Sequence, residues 1–457
     1  MSRLVIVSNR VVVPETREQA TAAAGGLAVA IEATIRATGG EWFGWSGRIS
    51  RKRPRAPRRI EVDGVTYATI DLTAEDYREY YNGFANRTLW PLFHYRPDLT
   101  AYDRQFYHGY QRVNALFAKH LSALRRPDDL VWVHDYHLIP LGSILRRMGD
   151  DQPLGFFLHI PFPATQLLLT LPQHQALIES LLAYDLVGFQ TNSDLQAFRD
   201  YVAVQIGRRL SADGHYPRTG VFPIGIDTDE MAQMVQTPVG RRHFARTKRS
   251  LRGRHLIVGI DRLDYSKGLH ERLRAVECLF DMYPGNRSRV VYMQVAPPSR
   301  AEVPEYRQIR RDLEWLTGHI NGRFSEPDWA PIHYLNRSFT RRSLAGLYRA
   351  ARVGLVTPFR DGMNLVAMEY VAAQTEEDPG VLVLSQFAGA ARQLPGALIV
   401  NPCDILGVAE AIQVALRMKR DERQNRWRSM MANLRRYDLE RWHTDFLNAL
   451  GRVAKAA

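Results

Sequence analysis

Short apolar segments recur along the chain and alternate with amphipathic stretches. In the first half these segments span residues 4–8, 130–134, 155–159, 186–190 and 221–224. In the second half they span residues 256–260, 290–295, 332–335, 354–357, 381–385 and 397–400. Segments that are apolar on both faces and rich in Val, Ile and Leu are typical of buried parallel strands.

Helical periodicity fills the intervals between these predicted strands. It is clearest over residues 110–124, 173–184, 268–282, 305–317 and 342–351. This repeated alternation of strand and helix predicts an α/β protein with parallel sheets.

The strand–helix units are too many for one compact domain. The basic, strand-free stretch 231–254, which contains Pro238, indicates a domain boundary. We predict two Rossmann-like doubly wound domains that face each other across a deep cleft, because such sheets bind ligands at the carboxyl ends of their strands. A single (β/α)₈ barrel is the alternative, but the long interval 8–129 fits its evenly sized units poorly.

Length and cysteine content place the chain among ordinary globular proteins. Its 457 residues suffice for two or three domains. Cys278 and Cys403 are far apart and in no metal-binding or redox spacing, which favours a reducing compartment. The apolar start is too short for a signal peptide, and no stretch reaches the length of a membrane span. We therefore expect a cytoplasmic protein with no membrane partner.

The chain carries a net charge of +13, from 61 basic and 48 acidic residues, which indicates anionic ligands. Only six of the basic residues are lysines, and the 55 arginines are spread along the whole chain. The one dense basic run, RISRKRPRAPRR (residues 48–59), is predicted to be an exposed loop. Zinc-finger and RNA-recognition motifs are absent from the sequence, so we expect no nucleic-acid partner.

Polar residues follow the predicted strands of the first half. Arg10 follows the first strand, Asp135 stands in the sequence HDYH, and His159 precedes two prolines that would hold it rigidly. Asp135 could accept hydrogen bonds from sugar hydroxyls, and His159 could be an active-site group or a hydrogen-bonded turn residue. A Gly-Gly pair ending at Gly26 opens a predicted helix and could approach a phosphate or form a simple turn. The dinucleotide fingerprint GxGxxG is missing there, which counts against a dehydrogenase.

Cations follow the predicted strands of the second half. Arg262 and Lys267 lie five residues apart around a turn, a spacing suited to two linked phosphates, and Arg300 follows the next strand. The segment DGMNL begins at Asp361 and opens a helix that carries Glu369. Two acids flanking a helix N-terminus could hold a nucleotide sugar, or Asp361 could be a helix cap and Glu369 a solvated side chain.

Ten motifs in order resemble those of the trehalose-6-phosphate synthases. They are SNR, GGL, EWFGWSG, YYNGFANRTLWPLFHYR, VWVHDYHL, GFFLHIPFP, RLDYSKG, PPSR, GLVTPFRDGMNLVAMEYVAAQ and LSQFAGAA. The resemblance runs through essentially the whole chain. These proteins are retaining glycosyltransferases of family 20 with the GT-B fold of two Rossmann-like domains.

The resemblance implies the reaction. Glucose moves from a nucleotide-glucose, usually UDP-glucose, to the anomeric hydroxyl of glucose 6-phosphate, giving α,α-trehalose 6-phosphate and the nucleoside diphosphate. A double displacement would need a second, closely placed carboxylate, which the sequence does not indicate. The resemblance instead implies front-face attack, in which the leaving phosphate helps to deprotonate the acceptor.

The resemblance also implies the site residues. The implied catalytic residues are His159, Asp135, Arg262 and Lys267. The implied donor-binding residues are Gly26, Arg262, Lys267, Asp361, Gly362, Met363, Asn364, Leu365 and Glu369. The implied acceptor-binding residues are Arg10, Tyr81, Trp90, Asp135 and Arg300.

Domain roles, cofactors and partners follow in the same way. Residues 1–235, joined by a C-terminal helix at about 435–457, would bind the acceptor, and residues 236–434 the donor. No metal site and no cofactor besides the nucleotide-glucose are implied, with a divalent metal at most stimulatory. The chain is expected to be a homo-oligomer, either a dimer or a tetramer. The alternatives are a related transferase with another phosphorylated acceptor, such as glycerol 3-phosphate or a pseudo-sugar phosphate, and a catalytically silent regulatory subunit.

Overall fold

The computed structural model describes residues 3–14, 26–207, 216–300 and 303–454, and they form two units. The first unit comprises Met1–Pro223 together with Glu440–Ala457, and the second comprises Ile224–Leu439. The division therefore falls after Pro223, where the sequence predicted 235.

The first unit is built on an eight-stranded sheet in the order β3-β4-β2-β1-β5-β6-β7-β8. All neighbouring strands are parallel except β3, which is antiparallel to β4. The strands are β1 (Leu4–Arg10), β2 (Gly40–Ser50), β3 (Arg58–Val62), β4 (Val65–Thr73), β5 (Leu130–His134), β6 (Leu154–Phe157), β7 (Leu186–Phe189) and β8 (Arg218–Val221).

Helices connect these strands, and two helical segments, Tyr77–Leu89 and Val202–Ile206, have π geometry. The π-helix Tyr77–Leu89 lies between two short α-helical turns and forms one continuous helical segment with them. The α-helices are α1 (Gly26–Thr38), α2 (Ala74–Asp76), α3 (Trp90–Phe93), α4 (Arg104–Leu124), α5 (Leu141–Arg147), α6 (Thr165–Leu168), α7 (His174–Leu182) and α8 (Asn192–Tyr201). A π-helix of this length is rare, and π-geometry is frequent at functional sites.

The second unit is built on a six-stranded, fully parallel sheet in the order β11-β10-β9-β12-β13-β14. The strands are β9 (His255–Ile260), β10 (Val290–Val295), β11 (Ile332–Leu335), β12 (Val353–Val356), β13 (Val381–Ser385) and β14 (Leu398–Val400). The helices are α9 (Thr228–Gln236), α10 (Pro238–Leu251), α11 (Leu269–Met282), α12 (Pro304–Phe324), α13 (Arg341–Ala350), α14 (Leu365–Ala372), α15 (Ile405–Arg417) and α16 (Arg420–Arg436).

The predicted fold class is confirmed: the described strands form two open, parallel Rossmann-like sheets and not a closed barrel. The domain boundary predicted within 231–254 lies earlier, because most of this strand-free stretch is part of α9 and α10 of the second unit. Asp227 and Thr237 cap these helices with their side chains, and Pro238 occupies the first turn, where proline is favoured. Both helices pack on α13, which explains why the boundary lies before them.

The final helix, α17 (Leu439–Ala454), packs on the first unit. Its Trp442 and Phe446 lie against the buried Trp132, with ring centroids 5.0 and 4.4 Å away. The predicted helix at about 435–457 is divided, because α16 ends at Arg436 and α17 begins at Leu439. An apolar stripe of aromatic residues thus joins the end of the chain to the first sheet.

Two arginines of the basic run pair with buried acids. Arg59 approaches the fully buried Glu41 at 3.3 Å, and Arg53 approaches the fully buried Asp76 at 3.1 Å. The run as a whole is largely exposed, as predicted, but Arg58 already begins β3. These two arginines therefore have a structural role that their sequence did not indicate.

None of the helices in the described part of the chain combines the length and apolar character that a bilayer crossing needs.

Candidate active site

Strand ends bring the polar residues of the first unit to one edge of its sheet. β1 pairs with β5 in parallel with Ser8 opposite His134, and β5 pairs with β6 with His134 opposite Phe157. Arg10, Asp135 and His159 stand at or just beyond these carboxyl ends, where parallel sheets bind ligands.

Asp135 has a strained backbone and a directed carboxylate. Its φ of 75° lies in a region that non-glycine residues rarely occupy, at a cost of about 1–3 kcal/mol. The backbone N–H of Asp135 donates to Phe157 O (2.8 Å), and its Oδ1 accepts from the His159 N–H (3.1 Å). The neighbouring strand therefore holds Asp135 in this conformation.

His159 is paired with a second histidine. Its Nε2 lies 3.0 Å from His134 Nδ1, and its Nδ1 lies 3.4 Å from Gln190 Nε2. Burial lowers the pKa of His159 to about 3, and burial and the neighbouring His159 hold the pKa of His134 well below its usual value. Both imidazoles are therefore neutral at pH 7. One of them is the N–H donor of the hydrogen bond between them, and the other is the acceptor.

Arg10 and Tyr81 are framed by residues of the motif EWFGWSG. The guanidinium of Arg10 lies over Gly47, where a Cβ atom would come within 2.9 Å of its Nε. Gly47 has a φ of 86°, so its backbone conformation is what favours glycine there. Trp45 contacts the ring of Tyr81 at 5.5 Å, and Tyr81 projects from the π-helix.

A line of aromatic rings leads from Tyr81 to Trp90. Tyr81 stacks on His137 (5.9 Å), His137 packs on Tyr136 (3.9 Å), and Tyr136 contacts Trp90 (5.7 Å). The Tyr136 hydroxyl donates to Asn86 Oδ1 (2.9 Å), which ties this line to the π-helix. Four of the five implied acceptor-binding residues, Arg10, Tyr81, Trp90 and Asp135, thus belong to the first unit.

Gly26 is the exposed first residue of α1. The glycine before it lies outside the described residues. The placement of Gly26 at a helix N-terminus agrees with the predicted helix start.

The cation and carboxylate of the predicted donor site meet in the second unit. Lys267 Nζ donates to Asp361 Oδ2 (2.5 Å), and Asn364 Nδ2 donates to the same oxygen (2.9 Å). Lys267 follows β9, Asp361 follows β12, and these two strands are neighbours. We call Lys267, Asp361 and Asn364 the donor cluster.

Asn364 joins the donor cluster to the helix that follows it. Its φ of 82° is left-handed, a conformation that asparagine tolerates better than most residues. Its Oδ1 accepts from the Ala367 N–H (3.0 Å) and so caps α14. The alternative prediction, in which Asp361 caps the helix, is therefore wrong. Asn364 caps the helix, and Asp361 is directed toward Lys267.

The motif LSQFAGAA braces the segment that contains Gly362 to Leu365. The Ala390 N–H donates to Met363 O (2.8 Å), and the Gly389 N–H donates to Asp361 O (3.2 Å). A Cβ atom at Gly389 would lie 2.0 Å from Gly362 O, so only glycine fits there. Gly362, Met363 and Asn364 are buried, and Leu365 is partly exposed.

Arg272 is a buried residue that sequence reasoning missed. Its guanidinium donates to Asp261 Oδ2 (2.8 Å), Thr357 Oγ1 (3.0 Å), Gln294 Oε1 (3.2 Å) and Lys267 O (3.1 Å). Burial raises the pKa of Asp261 although Arg272 attracts the carboxylate. One guanidinium therefore joins the ends of β9, β10 and β12 and holds the backbone of Lys267.

Glu369 lies on α14 and has two polar neighbours. Its Oε2 accepts from the Tyr348 hydroxyl (3.3 Å), and its Oε1 lies 3.7 Å from Arg341 Nη2. Burial raises the pKa of Glu369 against the attraction of Arg341. Glu369 is therefore not a solvated side chain, which was the alternative prediction for this residue.

Arg262 and Arg300 have contrasting surroundings in the second unit. Arg262 is exposed, directly after β9. Arg300 has a φ of 46°, and its Nη1 donates to the buried Asp264 (3.0 Å). The Tyr306 hydroxyl donates to the same carboxylate oxygen (3.0 Å). Arg300 is thus the one implied acceptor-binding residue that lies outside the first unit.

Within the described residues, no group of three or more His, Cys, Asp and Glu side chains is placed to hold a metal ion. The oxygen and nitrogen atoms of the donor cluster are instead engaged with one another.

The fold and the strand-end residues are typical of glycosyltransferases that use nucleotide sugars: two Rossmann-like sheets, with cations and a helix N-terminus at the strand ends of the second. The sequence profile of Glycosyltransferase family 20 matches residues 2–452, and the chain belongs to this family. The predicted family is confirmed.

The chain is similar to trehalose-6-phosphate synthases over its whole length. The protein of that name from Sinorhizobium fredii is 50% identical, with 98% of each chain covered. A UDP-forming α,α-trehalose-phosphate synthase from Burkholderia xenovorans, solved with glucose-6-phosphate, is 48% identical with a TM-score of 0.92, covering 98% of this chain and 100% of that one. An E. coli structure with bound UDP-2-fluoro glucose is 44% identical with a TM-score of 0.91, covering 98% and 99%.

Proposed function

We propose that this chain is a UDP-forming α,α-trehalose-phosphate synthase. It transfers glucose from UDP-glucose to the anomeric hydroxyl of glucose 6-phosphate with retention of configuration. The proposal rests mainly on relatives 44% to 50% identical over essentially the full length, which bear the name of this activity or were solved with glucose-6-phosphate or UDP-2-fluoro glucose. Three of the nine implied donor-binding residues, Lys267, Asp361 and Asn364, form the donor cluster and support it.

The second unit binds the nucleotide-glucose in this proposal. Arg262 and Lys267 contact the diphosphate, and the backbone N–H groups from Gly362 to Leu365 face it from the N-terminus of α14. Lys267 exchanges part of its contact with Asp361 for the diphosphate, while Asn364 continues to hold the carboxylate. Asp361 then accepts hydrogen bonds from the glucose hydroxyls, and Glu369 binds the ribose.

The first unit binds glucose 6-phosphate. Arg10 and Tyr81 of this unit bind the phosphate. In the second unit, Asp264 and Tyr306 hold Arg300 in place. Trp90 lies along the sugar, and Asp135 accepts hydrogen bonds from its hydroxyls. His159 orients the donor glucose as a neutral imidazole, because its low pKa excludes a role as general acid at pH 7.

The chemical step is a front-face substitution. The bond between glucose C1 and the β-phosphate oxygen breaks while the anomeric oxygen of the acceptor bonds to C1 from the same face. The acceptor hydroxyl proton passes to an oxygen of the leaving diphosphate. The negative charge that develops on the diphosphate is stabilised by Arg262 and Lys267, so the protein acts by positioning and electrostatics.

The partners in this proposal are the two small-molecule substrates and further copies of the chain. The exposed apolar side chains of Ile399, Leu406 and Val414 in the second unit support self-association. Cys278 and Cys403 are free, which supports a cytoplasmic location.

A product assay tests the function. The purified protein is incubated with glucose 6-phosphate and, in turn, UDP-, GDP- and ADP-glucose, and the products are separated and analysed by mass spectrometry and NMR. We expect a phosphorylated α,α-1,1-linked disaccharide, formed fastest from UDP-glucose. Replacing glucose 6-phosphate with glycerol 3-phosphate is the control, and a product from it but not from glucose 6-phosphate would contradict the proposal.

A further inference from the structure

A small cavity opens at the amino-terminal edge of the second sheet. It encloses about 40 Å³, and the charged residues that line it are Lys248, Arg254, His255, Arg349, Arg352 and Asp378. We call it the basic cavity. β9 begins there at His255 and β12 at Val353, whereas Lys267 and Asp361 follow the opposite ends of these strands. The basic cavity is therefore separate from the donor cluster.

Positive charge exceeds negative charge around the basic cavity. Arg254 pairs with Asp328 (2.5 Å), and Arg352 shares Asp378 with Arg423, at 3.3 and 2.7 Å. Asp378 is thus divided between two guanidinium groups, and a single carboxylate cannot neutralise both.

Two further cations have no carboxylate at all in hydrogen-bond contact among the described residues. Arg349 is half-buried, and its Nε donates to the backbone oxygen of Ala373. Lys248 is exposed at the mouth of the cavity. Five side-chain cations therefore surround the cavity against three carboxylates, those of Asp328, Asp378 and Glu377, which attracts Arg349.

The pKa of His255 agrees with an excess of positive charge, whereas the pKa of Arg349 is lowered by burial alone. Burial lowers the pKa of Arg349, and the attraction of Glu377 does not compensate. Burial and the charges of Arg352, Lys248 and Arg423 lower the pKa of His255, against a weaker opposing effect of Asp378. A further positive charge is thus disfavoured here, and an anion is favoured.

The size of the cavity restricts the anion. A buried water needs about 10–15 Å³ by a comparable measure, so 40 Å³ accommodates a few waters or one tetrahedral oxyanion. Guanidinium groups recognise phosphate oxygens through paired N–H donors. A complete sugar would not fit, but the phosphate end of an ester would, with its organic part outside.

We propose that the basic cavity is a second anion site, which binds a phosphate group as inorganic phosphate or as the phosphate of a phosphomonoester. Arg349 and Arg352 bind the phosphate oxygens, and Lys248 contributes its charge at the mouth.

Isothermal titration calorimetry tests the proposal on the full chain at constant ionic strength. Saturating UDP occupies the donor site, and inorganic phosphate or glycerol 2-phosphate is titrated. We expect two phosphate sites, the acceptor site with Arg10 and Tyr81 and the basic cavity. Only the Kd of the second site should weaken, by at least tenfold, in Arg349→Gln/Arg352→Gln. If only inorganic phosphate binds in the basic cavity, the occupant is the free ion. If glycerol 2-phosphate binds as well, the cavity also accepts a phosphomonoester.

The matched control is Arg310→Gln/Arg311→Gln, which removes the same charge from exposed positions of α12. Its Kd should stay within twofold of the unmodified protein. If the double variant in the cavity fails to fold, Lys248→Gln replaces it, because Lys248 is exposed, and we expect weakening of at least threefold. Absence of the second phosphate site, or equal Kd values for it in the cavity and control variants, would overturn the proposal.

Discussion

The Asp361 carboxylate accepts hydrogen bonds from both Lys267 and Asn364 at a single oxygen. This arrangement gives the two donors different roles. Asn364 is fixed by its cap on α14, whereas Lys267 turns toward the bound diphosphate in the proposed function. Because the proposal assigns charge stabilisation to Lys267 and positioning of the carboxylate to Asn364, the effect of each residue on turnover can be measured separately.

Arg262→Ala should lower kcat on the order of 10²-fold and leave the KM for glucose 6-phosphate unchanged, because Arg262 is proposed to stabilise charge that develops only in the transition state. Steady-state kinetics with a coupled assay for UDP measure both parameters. Arg310→Gln serves as the control, since Arg310 is exposed on α12. An unchanged kcat would rule out the proposed role of Arg262.

The low pKa of His159 predicts how stability depends on pH. The folded protein binds a proton at His159 only near pH 3, whereas the unfolded chain binds it near pH 6.5. Stability is therefore lost as the pH falls from 6.5 toward 3, because the unfolded state binds more protons. We expect the free energy of unfolding to decrease by about 1–2 kcal/mol between pH 6.5 and pH 5 from this residue.

Urea unfolding at pH 7, 6 and 5 measures that dependence. His159→Gln should show a smaller decrease than the unmodified protein, although His134 contributes in the same direction. Parallel pH dependences in the two proteins would contradict the assignment.

Some site residues could be predicted from the sequence, and others could not. Lys267 and Asp361 lie in the segments that follow apolar strands, where parallel sheets bind ligands. Arg272 lies inside a helix pattern, where an arginine usually faces solvent, so its burial depends on tertiary packing alone. The strain at Asp135 likewise arises from its neighbour strand and leaves no trace in residue type.

At the scale of elements, Arg272 connects α11 to three strands of the second sheet. Arg272→Met should destabilise the second unit by about 3–5 kcal/mol, because it leaves the buried Asp261 without its cation. Chemical denaturation followed by circular dichroism measures this loss. Arg274→Met on the same helix is the control. The Arg274 side chain is 38% exposed, and its partner Glu277 keeps the ion pair with Arg323, so we expect a loss of less than about 1 kcal/mol. Equal losses in the two variants would mean that the buried network is not the cause.

The packing of α17 predicts a second difference in stability. Trp442 is only 2% exposed and contacts Trp132, Phe157 and His159. Trp442→Ala should cost about 3–5 kcal/mol in the free energy of unfolding. Trp315→Ala provides the comparison, because Trp315 is 63% exposed on α12. A loss at Trp442 no larger than that at Trp315 would contradict the observed packing.

The central parallel strands of both sheets could be predicted from the sequence. The strands β3, β4 and β2, which form one side of the first sheet, could not. β2, β3 and β4 lack a run of Val, Ile and Leu, since they mix Gly, Thr, Trp and charged residues. The predicted strand at 221–224 lies instead at Arg218–Val221, because a short apolar run does not fix its own register. The π-helix Tyr77–Leu89 differs from an α-helix only in its hydrogen-bond pattern, which composition does not indicate.

At the scale of the whole molecule, the net charge of +13 is spread over two kinds of arginine. Some, such as Arg3 with Glu41 and Asp129, hold buried carboxylates. Others, such as Arg262, face solvent at a strand end. Total charge indicated anionic ligands, but only the placement of cations within the fold separates structural from ligand-binding arginines.

Metal dependence is a property of the whole reaction and stays a prediction. Arg262, Lys267 and the N-terminus of α14 already supply positive potential for a diphosphate. We expect activity to be retained in excess EDTA, with added Mg²⁺ raising it at most severalfold. Initial rates before and after chelation, with EDTA plus excess Mg²⁺ as the control, measure this. Complete loss in EDTA that Mg²⁺ restores would establish a metal requirement.

The discontinuity of the first unit has a consequence for biosynthesis. Its strands are translated first, but Trp442 and Phe446, which cover Trp132, are translated after the whole second unit. At about 5–20 residues per second, residues 224–439 take roughly 10–40 s to emerge. During that interval the nascent first sheet exposes an aromatic surface, a typical substrate for chaperones. The unit that is translated first is therefore the last to complete its core. A chain truncated before residue 442 lacks the aromatic side chains that cover Trp132.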